Sequence, residues 1–151
     1  MLDRLFPPPG AFTYGGGAAA VWLAALLVLL KVAIALGTIF NGHYAASVAD
    51  GIPIDSYTAE GARAFVSLFA SLGLAQLAIG VVGLLVLFRY RALLPAYLLL
   101  LVIEQLGRKG IAHFLPIPLV GGEGGGILNW AIIALLLVAL ALSLRNSGPG
   151  S

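Results

Sequence analysis

Four long apolar runs, separated by short polar or glycine- and proline-rich stretches, set the rhythm of this chain. They cover about residues 18–41, 64–88, 91–113 and 127–144. As helices rising about 1.5 Å per residue, each is long enough to cross a hydrocarbon core of roughly 30 Å. The runs are continuous rather than alternating, which predicts helices and not the strands of a membrane barrel. The expected fold is therefore all-α: a polytopic membrane protein, with a four-transmembrane-helix bundle forming one domain over residues 1–151.

Composition sharpens the class. Of 151 residues, 61% are hydrophobic and 9% charged, whereas a soluble domain carries about 25% charged residues. The net charge of +2 comes from few groups and forms no basic stripe, so nucleic acid is not an expected partner. Cysteine is absent, which removes disulfides, thiolate metal sites and cysteine nucleophiles. The segment from Met1 to Gly17 is only weakly basic, and the first apolar run resumes after Lys31 to reach Phe40. That exceeds a signal-peptide core, so an uncleaved first span is expected.

Only Arg89-Tyr90-Arg91 separates the second and third runs, predicting a tight antiparallel hairpin whose arginines face the cytoplasm. Arg4 and Arg145 agree, so both termini are expected inside, in the inner (plasma) membrane of a bacterium. Loop 42–61, with Asp50, Asp55 and Glu60, and loop 114–126 then face outward. Trp22, Trp130, Tyr14, Tyr44 and Tyr90 lie near helix ends, where aromatic belts form. The glycine run 121–126 lacks the Gly-Lys-Ser/Thr ending of a phosphate loop and reads as a flexible connector. The expected partners are the bilayer and other membrane helices, from copies of this chain or a larger complex.

Polar residues inside the runs carry the candidate chemistry. A charge at the bilayer centre costs at least ~2.5–3.5 kcal/mol, so it calls for a partner or a task. Lys31 lies 13 positions after Ala18, Glu104 lies 13 after Arg91, and Gln76 lies 12 from each end of its run. The three therefore converge on one depth. Lys31, Thr38 and Asn41 share a helix face, as do Tyr97, Leu101, Glu104 and Arg108, and Gly73, Gln76, Gly80 and Gly83. Small residues on the last face permit close approach, with Gln76 able to bond across it. The predicted intramembrane cluster is Lys31, Gln76, Tyr97, Glu104 and Arg108, built on a Lys31–Glu104 ion pair. It is a structural clamp, a proton or ion relay, or a site for a polar ligand headgroup.

A second group, Asn41, His43, Lys109, His113 and Asn129, falls at the outer helix ends together with Arg108. Two histidines could ligate haem or a metal, but no local His/Glu spacing supports a metal site. Arg108 and Lys109 could hold a lipid phosphate, a quinone or a carboxylate, or simply anchor at the interface. Ser67 and Ser71 are expected to bond to backbone. Asp50, Asp55 and Glu60 read as a solvated loop, and no catalytic residue is nominated.

The layout of four spans, the long loop after the first and the Arg89–Arg91 hairpin resembles small DoxX-like bacterial inner-membrane proteins. That resemblance implies an accessory membrane subunit, of the kind associated with quinone-linked redox enzymes, or a small-ligand binder. The leading expectation is a non-catalytic accessory subunit or helix-packing protein. The alternatives are a small transporter or relay using the Lys31–Glu104 pair, and a quinone- or haem-linked redox role at the outer face.

Overall fold

The computed structural model describes residues 14–117, 119–120 and 124–145. Four long helices dominate it: α1 (Ala18–Phe40), α2 (Ala59–Phe88), α3 (Leu94–Phe114) and α4 (Gly124–Leu144). No strand occurs among the described residues. Helices α1, α2 and the Gly126–Leu144 part of α4 are long and apolar enough to cross a membrane. Helix α3, with 21 residues, has the length, but Glu104, Arg108 and Lys109 interrupt its apolar character.

Three element boundaries depart from the sequence expectation. Helix α2 begins at Ala59 rather than near 64, because Thr58 caps it: its hydroxyl accepts from the Gly61 amide at 3.1 Å, with Glu60 in the first turn. The expected loop after α1 is partly helical. Asn41 breaks α1, then Gly42–Tyr44 and a π-helical turn, Ala45–Ala49, carry the chain onward. Helix α3 starts at Leu94 rather than 91, after a 3-10 turn over Arg91–Leu93, with Pro95 in the first turn where its missing N–H costs nothing.

The glycine connector is corrected in part as well. Gly124–Gly126 belong to α4, the helix that the apolar run continues. Residues 121–123 lie outside the described residues, as does Arg4.

Close contacts give the relative directions of the helices. Along α1 and α2, Val32 meets Gly80, Thr38 meets Gly73, and Gly42 just beyond α1 meets Val66, so the two run antiparallel. Bulk at these glycines would collide with the facing chain: a Cβ on Gly80 would lie 2.7 Å from Val32 Cγ2. Helix α1 packs most extensively on α2, then on α4, and α4 packs on α3. Helices α2 and α3, although joined by the short turn, share little backbone contact. The expected tight hairpin is thus an open one, and side chains fill the seam.

The main core occupies the end holding the α2–α3 turn. Leu27 and Val28 of α1, Leu87 of α2, Leu94, Leu98 and Leu101 of α3, and Leu136 of α4 are buried there. A smaller cluster of Ala46, Ile52 and Ile54 packs on Phe65, Val66 and Phe69 at the opposite end. Gly51 turns the chain between them with φ +70, a conformation that favours glycine. Its carbonyl accepts from Val120 N at 2.7 Å, tying the loop after α1 to the loop before α4. Past Val102, no residue of α3 is buried.

Candidate functional site

Directly above the main core, three helices each contribute one polar side chain. The Lys31 ammonium of α1 donates to Glu104 Oε2 of α3 at 3.0 Å and to Gln76 Oε1 of α2. The Gln76 carboxamide closes the circuit by donating from Nε2 to Glu104 Oε1 at 2.7 Å. The result is a ring of three hydrogen bonds in which both carboxylate oxygens and both ends of the carboxamide are engaged. Lys31 and Glu104 keep only 12% and 16% side-chain exposure, so the pair is largely removed from its surroundings.

Local structure explains the convergence. Helices α1 and α3 present Lys31 and Glu104 one helical stretch above the buried leucines. Gly73 and Gly80 flank Gln76 by three and four positions and let α2 approach α1 closely enough for its amide to reach both charges. A charge-assisted bond to each Glu104 oxygen stabilises the ionised carboxylate against its desolvation.

Two members of the expected cluster stand differently. Arg108 approaches Glu104 Oε1 at 3.6 Å, an ion pair beyond hydrogen-bond distance, and remains 45% exposed. Tyr97 is not part of the ring. Its buried hydroxyl lies two turns closer to the core, donates to the Ile79 carbonyl at 3.0 Å and fills the space left by Gly83. Tyr97 shares a helix stripe with Glu104, but that stripe spans core and polar layer alike. Thr38 also lies outside the ring and bonds back to the Ile34 carbonyl at 2.9 Å.

The outer group is dispersed rather than assembled. His43 Nε2 pairs with Asp55 Oδ1 at 3.2 Å on an exposed surface, while His113 contacts the Phe114 ring edge-on. No contact joins the two histidines, and no group of three His, Asp or Glu suited to a metal occurs among the described residues. Asn41 is exposed and serves as the break after α1, its amide bonding to Gly37 O at 2.9 Å. Lys109 and Asn129 line one cleft between α3 and α4, together with Arg108 and Gln105. Lys109 holds its ammonium 5.2 Å above the Trp130 ring.

Other residues resolve into simpler roles. Ser71 donates to Ser67 O at 2.9 Å, the backbone bond expected of these serines. Glu60 pairs loosely with Arg63 at 3.9 Å. Asp50, which reads from the sequence as part of a solvated loop, is half-buried: burial pushes its carboxyl up while the Arg108 guanidinium opposes that shift. Gln105 is absent from the sequence expectation. Gln105 carried a legible signal, since 105, 108, 109 and 112 share one helix face. Tyr14 packs against the core with its hydroxyl buried and without a hydrogen-bond partner among the described residues.

Neither a family model, nor a curated protein, nor a solved structure matches this chain.

Proposed function

We propose that this chain is a non-catalytic membrane subunit, a bundle of four spans in the inner membrane with both termini cytoplasmic. On this reading it works by packing against other membrane helices. The closed Lys31–Gln76–Glu104 ring is the observation that carries the proposal. A catalytic or transporting carboxylate needs a face open to substrate or water, and Glu104 has both oxygens bound to neighbouring helices. The ring also supports counting α3 as the fourth span, because Lys31 neutralises its central charge and Arg108 and Lys109 lie near its end. Large exposed apolar side chains on every long helix, such as Leu26, Leu68, Ile103 and Leu137, supply surfaces for lipid or partner helices. An accessory role is also what the resemblance of the sequence to DoxX-like proteins implies.

Native mass spectrometry of gently extracted protein tests this. A stable complex with another membrane chain is expected, and Glu104→Gln should weaken that assembly by weakening the fold. A monomer that carries out proton-linked flux in liposomes, lost in Glu104→Gln while the fold persists, would overturn it in favour of the relay.

One observation favours that second reading. Arg108 is ion-paired with Glu104 at 3.6 Å and its charge also acts on the Asp50 carboxyl in the loop after α1. A quinone- or haem-linked role draws no such support, since His43 is turned to Asp55 and His113 to Phe114.

A further inference from the structure

The outer halves of α3 and α4 are the thinnest part of the packing. Beyond Val102 in α3, and from Gly126 to Ala131 in α4, no residue is buried. Between these segments lies a cavity of about 130 Å³ lined by Gln105, Arg108, Lys109, Ala112 and Asn129. A void of this order admits a guest the size of benzene. Its lining is polar, however, so an apolar guest does not fit it.

The lining has a definite chemical sense. It offers a guanidinium, an ammonium and two carboxamides, and no carboxylate. Glu104, the nearest acidic group of the ring, is hydrogen-bonded to Lys31 and Gln76 and approaches Arg108 only at 3.6 Å. That distance leaves the guanidinium's fork of donors without a hydrogen bond to Glu104, and Arg108 lines the cleft although its charge also acts on Asp50. The Lys109 ammonium over Trp130 supplies a second positive charge one residue along the same helix face. Two cations exceed what a carboxylate needs. A phosphate group, with more oxygens and a planar match to the guanidinium, suits the set better. Exposed Leu106, Ile111, Ile127 and Leu128 flank the cleft and suit acyl chains if the phosphate belongs to a lipid.

We propose that the cleft between α3 and α4 is a binding site for a phosphate-bearing anion, gripped by Arg108 and Lys109 and oriented by Gln105 and Asn129. This site is separate from the ring and stands whether the chain is an accessory subunit or a relay.

The full-length protein in detergent, mixed with equal amounts of phosphatidylglycerol and phosphatidylcholine, provides the test by native mass spectrometry. A parallel thermal-shift titration uses inorganic phosphate. Phosphatidylglycerol should be retained preferentially, and Lys109→Gln combined with Asn129→Ala should weaken retention at least about tenfold, the loss of one charge-assisted and one neutral contact. Neither residue touches the ring, so the variant should stay folded and lose only the exposed cation–π contact of Lys109 with Trp130, and Arg63→Gln on α2 should bind as the parent does. Stabilisation by inorganic phosphate without lipid preference, abolished by the same variant, supports the site with a soluble phosphate as ligand. Equal retention of both lipids with no phosphate shift, or binding unchanged in the folded double variant, overturns the proposal.

Discussion

Lys31 and Glu104 lie 73 positions apart in sequence and 3.0 Å apart in space, joined across two helices at the level where the apolar core ends. The contact ties the first long helix to the third, which share less backbone contact than either shares with α4. Gln76 brings in the second helix. The ring therefore acts where α2 and α3 diverge, the seam that backbone packing leaves open.

Removing one charge should harm the protein more than removing both. Lys31→Met or Glu104→Gln alone leaves a largely buried partner uncompensated, with an expected cost of about 3–5 kcal/mol. The double variant Lys31→Met/Glu104→Gln should recover much of that loss. Thermal unfolding of the four proteins in one detergent measures the coupling, and additive losses would show that the pair does not interact energetically.

The glycine face should be equally sensitive, but through volume. Gly80→Ala places a methyl 2.7 Å from Val32 Cγ2, an overpacking expected to cost about 1–3 kcal/mol. Gly37→Ala is the control, since nothing lies within 4 Å of its Cβ position. Comparable melting temperatures for the two variants would contradict the close approach of α1 and α2.

Tyr97 and Gly83 should be coupled. A Cβ at Gly83 collides with the Tyr97 hydroxyl and the adjoining ring carbon. Tyr97→Phe removes the hydrogen bond to Ile79 O, a loss of about 0.5–1.5 kcal/mol. In the Gly83→Ala background the same change also relieves part of the clash. The double variant should thus be more stable than the sum of the singles indicates, as a double-mutant cycle would read.

Asp50 imposes a pH dependence of known sign. Burial raises its folded carboxyl above the ordinary value, against the opposing field of Arg108. In the unfolded chain it ionises in the usual range, near about 3.9. Between those values the folded state binds more protons, so stability falls as pH rises through that window, and the cost is complete above the folded value. Asp50→Asn should abolish this component and raise the melting temperature at neutral pH. Melting profiles from about pH 4 to about pH 8 that superimpose for the two proteins would refute it.

Much of the fold was legible because a bilayer imposes strict arithmetic. Long apolar runs read as helices at a fixed rise per residue, and alternating direction places Lys31, Gln76 and Glu104 at one level before any contact is known. The stripe Gly73, Gln76, Gly80 marked where helices approach, since only small residues there permit it. Helix starts were less legible. Thr58 caps α2 within a stretch that reads as a polar loop, and Gly124–Gly126 join α4 despite a composition typical of connectors. At Thr58 local hydrogen bonding at the helix start outweighed composition.

By itself, then, the amino-acid sequence determined the helical class and four long apolar runs, three of which form helices apolar enough to cross a membrane, and it marked three polar residues for one level. All of these follow from one-dimensional periodicity and length. Tertiary structure alone decided that Gln76 closes a ring, that Tyr97 belongs to the core, that the histidines stay apart, and that Arg108, Lys109 and Asn129 line a common cleft. Those outcomes depend on how far neighbouring helices rotate and separate. Small differences in side-chain volume across the whole interface set that geometry, and no single stretch of the chain contains it.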